Sequence, residues 1–130
     1  MLTGRCHCGA VTYEMPAETI HRALCHCADC RRASGAPMVA WAMVPADQLT
    51  INGAPRVYAS SEHGRRHFCE ACGAGLFYTN EVVFPGLIDV QTATLDDPGA
   101  IAPTAQIQVA ERISWMAAAH ELPAFERYPA

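Results

Sequence analysis

The sequence lacks a long apolar run and an excess of positive charge. No stretch of its 130 residues approaches the length of apolar sequence that a membrane-spanning helix needs, and its first residues lack the apolar core of a secretory signal. Nine Lys and Arg residues against thirteen Asp and Glu residues give a formal net charge of -4, which does not attract a phosphate backbone. We therefore expect a cytoplasmic protein that contacts neither membrane nor nucleic acid.

Charged residues are scarce, at 17% of the chain, and the sequence contains no run of like charges and no low-complexity tract. Hydrophobic residues make up 51%, which is typical of a globular protein and not of a disordered one. A chain of 130 residues can bury one core but not two independent ones. We therefore predict a single domain.

Short apolar segments between turn residues indicate strands. Val11, Tyr13 and Met15 alternate with polar residues, and the segment 38–44 is apolar on both faces between two prolines, which is typical of a buried central strand. Further strand candidates are 20–24, 56–59, 66–69, 76–79, 87–93 and 107–109. The chain is therefore predicted to be mainly β.

Helical patterns are confined to short stretches. Residues 28–33 precede Gly35, a residue that commonly ends helices, and a second helical stretch lies around 115–120. We expect Trp41 and Trp115 in the core, and we expect Arg65 and Arg66 to be a solvated pair of charges.

Seven cysteines are the main chemical signal. A reducing compartment keeps thiols free of disulfide bonds, and an odd number of cysteines would leave one thiol unpaired in any case. Thiolates at short spacing are common ligands of zinc. The cysteines therefore predict metal binding.

Four of the cysteines form two pairs, in C-H-C-G at 6–9 and C-E-A-C-G at 69–73. In both pairs a glycine directly follows the second cysteine. Glycine allows the positive φ that a tight zinc-binding turn requires. Each pair supplies two ligands, and a structural zinc ion needs four, so the two pairs together predict one closed site. Its ligands are Cys6, Cys8, Cys69 and Cys72.

The other three cysteines, Cys25, Cys27 and Cys30, lie in C-H-C-A-D-C and can converge on one point. A zinc ion with three protein ligands keeps a fourth position for water or substrate, which is typical of catalytic sites. The alternative is a second structural site that a histidine completes, with His26, His63 and His67 as candidates. Because His26 lies between two ligands, we expect it to point away from the metal as a hydrogen-bonded structural residue.

Arg31 and Arg32 directly follow the second cluster. Their positive charge lowers the pKa of nearby thiols and can receive the carboxylates of an anionic ligand. They are the candidate substrate-binding residues.

The chain resembles the glutathione-dependent formaldehyde-activating enzyme family, which also includes the centromere protein V domain. The resemblance rests on G-R-C-H-C-G-A-V at 4–11, C-H-C-A-D-C-R-R-A-S-G at 25–35, F-C-E-A-C-G-A-G-L-F at 68–77 and the final W-M-A-A-A-H-E-L-P-A-F-E-R-Y-P. It covers nearly the whole chain. One departure is Gln106, where relatives often place histidine.

The resemblance implies a β-tent fold, in which small antiparallel sheets lean together around a structural zinc ion, in a single zinc-binding domain over residues 1–130. It also implies two zinc ions per chain, one on the four-cysteine set and one on the three-cysteine set. The implied reaction is carbon-sulfur bond cleavage in an adduct of glutathione, or another thiol, with an aldehyde.

Two other functions fit the same cysteines. The chain can be a non-catalytic zinc module that binds a small thiol or a protein, because a fold persists when its chemistry is lost. A cysteine-based reductase on the same fold needs a metal-free thiol as nucleophile, and the commitment of all seven cysteines to metal argues against it.

Overall fold

The computed structural model describes residues 1–129, which form two β-sheets and one short α-helix. The prediction of a mainly β protein is confirmed. The strands are Leu2–Arg5 (β1), Thr12–Met15 (β2), His21–Cys25 (β3), Val39–Pro45 (β4), Thr50–Asn52 (β5), Arg56–Ala59 (β6), Gly64–Phe68 (β7), Gly75–Asn80 (β8), Leu87–Gln91 (β9) and Ala105–Ile107 (β10). None of the helices in the described residues is long and apolar enough to cross a membrane.

The smaller sheet has the strand order β1-β2-β5, and the larger has the order β10-β3-β4-β9-β8-β7-β6. All strand pairs are antiparallel except β10 and β3, which are parallel. The larger sheet thus has seven strands, and its one parallel pair lies at an edge. The sequence pattern did not indicate β1 and β5, because both are short and lack apolar alternation.

Strand β4 is buried on both faces, as predicted. Ala42 and Val44 point to one side, where they join a core that also contains Tyr13, Met15 and Phe77. The rings of Tyr13 and Phe77 meet edge to face, with centroids 5.2 Å apart, a geometry that contributes about 0.5–1.5 kcal/mol beyond burial. This core lies between the two sheets.

The other face of the larger sheet carries Trp41, Met43 and the side chains paired with them. Directly opposite residues on neighbouring strands point to the same face. One row of such residues crosses six strands. This cross-strand row consists of His21, Met43, Asp89, Tyr78, Arg66 and Tyr58.

The helix Ala28–Ser34 (α1) matches the predicted segment to within one residue. Its amino end is capped by the Cys27 side chain, which accepts a hydrogen bond from the Cys30 backbone N-H at 3.2 Å. Gly35 ends the helix with a φ of 67° and donates its N-H to the Arg31 carbonyl at 2.7 Å. The cysteine spacing therefore also defines where this helix begins.

Five short 3₁₀ segments complete the described chain, at Ala46–Gln48, Thr92–Thr94, Pro98–Ala100, Val109–Glu111 and Ser114–Glu121. Trp41 is buried, as predicted, but Trp115 is 58% exposed. The expectation that Trp115 lies in the core is wrong, because Ser114–Glu121 buries none of its side chains.

Candidate metal centres

The four sulfur atoms of the first cluster lie within 4.8 Å of one another. The Cys8 Sγ atom is 3.7 Å from both Cys6 Sγ and Cys69 Sγ. A tetrahedral zinc ion with Zn-S bonds near 2.3 Å separates its sulfur ligands by about 3.8 Å, so the spacing fits zinc. All seven cysteines are free of disulfide bonds.

The two pairs lie on equivalent turns. In the first turn, the Cys6 N-H donates to the Val11 carbonyl at 3.0 Å, and the Val11 N-H donates to Cys6 Sγ at 3.3 Å. In the second, the Cys69 N-H donates to the Ala74 carbonyl at 3.0 Å. Gly9 and Gly73 have φ values of 82° and 80°, which is the positive φ that the sequence predicts for them.

Backbone hydrogen bonds favour thiolates at this cluster. Backbone N-H groups of Ala74 and Cys8 lower the pKa of the Cys72 thiol to about 6. Cys6 and Cys69 are buried, whereas Cys8 is exposed. The donor set is complete for a tetrahedral ion and links the first strands to the turn between β7 and β8.

The second cluster joins the end of β3 to α1. The sulfur atoms of Cys25, Cys27 and Cys30 lie within 4.8 Å of one another, and Cys30 Sγ is 3.6 Å from Cys25 Sγ. Within residues 1–129, no histidine nitrogen or carboxylate oxygen joins this group. The three sulfur atoms fit zinc as ligands, and the described residues supply no fourth ligand to such an ion.

The candidate histidines bind elsewhere. His67 Nε2 lies 3.1 Å from Thr79 Oγ1, and His63 Nε2 lies 3.8 Å from a carboxylate oxygen of Glu62. The alternative of a histidine-completed second site has no support in this arrangement.

His26 is buried, and its Nε2 atom shares a hydrogen bond of 2.8 Å with Gln106 Oε1. The His26 backbone N-H also donates to the Ile107 carbonyl at 3.1 Å. The expected structural role of His26 agrees with these contacts. Gln106 supplies its polar partner and attaches β10 beside the second cluster.

Arg66 contacts the second cluster, which the sequence did not indicate. Its Nη1 and Nη2 atoms lie 3.9 and 3.8 Å from Cys30 Sγ, and its guanidinium carbon lies 5.1 Å from the centroid of the Tyr78 ring. The expectation that Arg66 is a solvated charge is therefore wrong. The hydrogen bond between the Cys30 and Cys25 sulfur atoms, with smaller contributions that include the Arg66 guanidinium, lowers the pKa of Cys30 to about 5.

Arg31 and Arg32 do not line the cavity beside the three cysteines. The Arg31 Nε atom is buried without a hydrogen-bond partner, and Arg32 borders a separate groove with Asp29 and Tyr58. Arg66 lines both this groove and the cavity. The cation that contacts the cluster and lines its cavity is thus Arg66 on β7.

The cavity beside the second cluster has a volume of about 320 Å³, and we call it the thiolate cavity. Cys25, Cys27 and Cys30 form one wall. The facing wall includes side chains from the larger sheet and from the loop after β8. These are His21, Trp41, Arg66, Tyr78, Phe84 and Asp89.

Asp89 is the buried carboxylate of this wall, with 8% of its surface exposed. Its Oδ1 atom has no hydrogen-bond partner and lies 3.8 Å from His21 Nε2. Burial, with a smaller contribution from the negative charge of Cys30, raises the pKa of Asp89 to about 7. Burial also lowers the pKa of His21. Asp89 can therefore hold or release a proton near neutral pH.

Two curated proteins are similar to part of this chain. An uncharacterized lyase of Schizosaccharomyces pombe is 33% identical over 79 residues, which are 59% of this chain and 58% of that protein. A Halomonas elongata protein, provisionally named a glutathione-dependent formaldehyde-activating enzyme, is 32% identical over an alignment of 88 residues. This alignment covers 59% of this chain and 55% of that protein. The matches therefore span a little over half of each relative.

A crystal structure of a Rhodobacter sphaeroides protein has a similar fold, with a TM-score of 0.61 and 25% identity over 81% of this chain and 99% of that one. The family model described as glutathione-dependent formaldehyde-activating enzyme matches residues 1–111. That segment contains both cysteine clusters and every residue of the thiolate cavity named above. The chain belongs to the glutathione-dependent formaldehyde-activating enzyme family.

Proposed function

We propose that this protein is a zinc-dependent carbon-sulfur lyase that acts on the adduct of a small thiol, such as glutathione, with an aldehyde. The observation that carries the proposal is the second cluster, where three sulfur atoms without a fourth protein ligand line the thiolate cavity. The names of the two curated relatives support the same reaction class.

The two clusters have different proposed roles. Cys6 and Cys8 are more than 60 positions from Cys69 and Cys72, so an ion there cross-links distant parts of the fold. Its four ligands leave no position for substrate. We assign it a structural role and assign the chemistry to the cluster of Cys25, Cys27 and Cys30.

A zinc ion held by three thiolates would keep a thiol substrate deprotonated at its fourth position. The cluster then carries net negative charge, because three thiolates exceed the charge of one divalent ion. Arg66 offsets part of this charge through its contact with Cys30. The Arg66 guanidinium lies over the face of the Tyr78 ring, and this cation-π contact stabilises its position.

Asp89 is the proposed proton acceptor. As the carbon-sulfur bond of the adduct breaks, its electron pair stays on sulfur, which leaves as a thiolate. The adduct hydroxyl loses its proton to the Asp89 carboxylate, and the carbon-oxygen bond becomes the carbonyl of the aldehyde. The reverse reaction returns this proton from Asp89 to the carbonyl oxygen, which suits a carboxyl group with a pKa of about 7.

Glutathione, the proposed thiol, carries carboxylates. We expect these to bind cationic side chains outside the thiolate cavity. Arg31 and Arg32 are the residues predicted for this role. Arg32 is the better placed, because it borders the groove that Arg66 shares with the thiolate cavity.

Cobalt substitution tests the open ligand position directly. Protein loaded with Co²⁺ is titrated with glutathione while the visible spectrum is recorded, and consumption of the glutathione-formaldehyde adduct is measured on the zinc form. We expect a new sulfur-to-cobalt band in the wild type and in an Ala33→Ser control on the same helix, but not in Cys27→Ser. A spectral change without turnover identifies the non-catalytic thiol-binding module instead.

A further inference from the structure

A second cavity, of about 400 Å³, adjoins the thiolate cavity, and we call it the aromatic cavity. Trp41 and Arg66 line both cavities. The remaining aromatic wall comes from Tyr58, Phe68 and Phe77. The proposed reaction with formaldehyde gives this space no occupant, because formaldehyde contributes a single carbon atom.

Strand register places the residues that the two cavities share, Trp41 and Arg66, on one face of the larger sheet, whereas His67 and Phe77 reach the aromatic cavity from the core face. Trp41 is paired with Gln91, which lines the aromatic cavity, and Arg66 is paired with Tyr58 on one side and Tyr78 on the other. Tyr78 lines the thiolate cavity. The cavities are therefore neighbouring compartments that meet at Trp41 and Arg66.

The lining of the aromatic cavity favours an uncharged ligand group. Its charged residue is Arg66, at the boundary, and its only other titratable wall groups are His67 and Tyr58. Burial lowers the pKa of His67, which favours the neutral imidazole. Placing the carboxylates and ammonium group of glutathione against this wall would desolvate charges without adequate partners. An apolar organic group would instead gain by burial.

We propose that the aromatic cavity binds an aromatic or branched aliphatic substituent on the hydroxyl-bearing carbon of the adduct, which becomes the carbonyl carbon on cleavage, so that the enzyme accepts aldehydes larger than formaldehyde. This inference rests on the proposed lyase function and specifies its substrate class. Cleavage yields the free thiol and the larger aldehyde, with the same transfer of the hydroxyl proton to Asp89.

Arg66 provides the polar contact at the boundary between the compartments. Its Nε atom is buried without a hydrogen-bond partner, although its Nη atoms contact Cys30. A buried donor without a partner is costly, and an oxygen atom of the adduct next to the reacting carbon would satisfy it. The carbon bonded to that oxygen then has the thiolate cavity on one side and the aromatic cavity on the other.

Ala33 gives a clean way to block the aromatic cavity. It is an exposed residue of α1 that lines this cavity and the groove of Arg32, but not the thiolate cavity. Ala33→Phe fills the space without removing a buried side chain. Ala17→Phe, at an exposed position outside both cavity linings, is the matched control.

The binding arm compares two inert thioethers, S-(2-phenylethyl)glutathione and S-methylglutathione, by calorimetric titration of the zinc-loaded protein. We expect the phenylethyl compound to bind the wild type and Ala17→Phe roughly tenfold more tightly than the methyl compound. In Ala33→Phe this preference is lost. Because Ala33 also borders the groove of Arg32, the two affinities are compared within each variant, so that any loss of glutathione binding common to both compounds cancels. Equal affinities in the wild type, or a preference that survives Ala33→Phe, would overturn the inference.

The activity arm compares kcat/KM for glutathione adducts of phenylacetaldehyde and formaldehyde. We expect Ala33→Phe to lower kcat/KM for the phenylacetaldehyde adduct roughly tenfold more than kcat/KM for the formaldehyde adduct. If the formaldehyde adduct is turned over but the two thioethers bind equally well, the proposed role of the aromatic cavity is wrong and the proposed lyase function is supported. A thioether preference without turnover of either adduct supports the compartment and overturns the lyase function.

Discussion

The guanidinium of Arg66 lies against the sulfur of Cys30, with Nη2 3.8 Å from Sγ, although 36 positions separate the two residues. Arg66 lies on strand β7 of the larger sheet, and Cys30 lies on helix α1, which packs beside that sheet. Such a contact favours the thiolate over the thiol and offsets the charge that three thiolates accumulate. It links the metal centre to the rest of the sheet.

Replacing Arg66 by Met should weaken metal retention at the second cluster, because Cys30 loses its cationic neighbour. We expect the zinc ion of that cluster to transfer to a chelator about tenfold faster, and Arg66→Lys to give an intermediate rate. Arg65→Met is the control, since Arg65 occupies the adjacent position of β7 and points to the other face. Equal effects of Arg65→Met and Arg66→Met would contradict the assigned contact.

Asp89→Asn should stabilise the protein at alkaline pH. The pKa of Asp89 is about 7 in the folded chain, above its ordinary value of 3.8, so the folded state holds this proton more tightly and stability falls as pH rises through that interval. Between pH 6 and pH 8 the wild type should lose about 1 kcal/mol relative to Asp89→Asn. Denaturant unfolding at both pH values measures this, with the exposed Asp47→Asn as control.

The same Asp89→Asn variant should lose activity while it gains stability. An amide cannot accept the hydroxyl proton of the adduct, so we expect kcat to fall by about 10²-fold or more. Zinc content and thioether affinity should be unchanged, because Asp89 is not a metal ligand in this account. A variant with full activity would remove Asp89 from the reaction and leave the metal assignments intact.

Gln106→Leu should destabilise the fold, because the buried His26 ring loses its hydrogen-bond partner. We expect a loss of about 1–3 kcal/mol in the free energy of unfolding. The double variant His26→Leu with Gln106→Leu should recover part of this loss, since no unpaired polar group remains. Additive losses in thermal or denaturant unfolding would show that the two side chains are not coupled.

The grouping of the seven cysteines into a set of four and a set of three could be predicted from the sequence, but the cavity beside the second set could not. Cys6, Cys8, Cys69 and Cys72 stand in short motifs whose glycines dictate local turns, so local sequence determines their geometry. Arg65 and Arg66 look alike in the sequence. Only the register of β7 with β8 decides which of them reaches the second cluster.

Asp89 illustrates a signal that sequence reasoning could have used. It interrupts the apolar strand L-I-D-V-Q, and aspartate is rare in strand interiors, so its presence there calls for a functional or structural reason. Its position opposite Tyr78 and its distance from the cysteines follow from sheet topology, which no local pattern contains. The same reason explains why Arg31 and Arg32, adjacent to the cysteines in sequence, lie outside the thiolate cavity.

The unequal division of seven thiolates between two zinc ions is the central claim, and metal counting on two variants tests it. Zinc per chain and thermal unfolding are measured on the wild type, Cys27→Ser and Cys69→Ser. The account predicts two zinc ions in the wild type, about one in a folded Cys27→Ser protein, and an unfolded Cys69→Ser protein, because the structural ion is part of the folding free energy. Equal collapse of both variants, or full zinc content in Cys27→Ser, would contradict it.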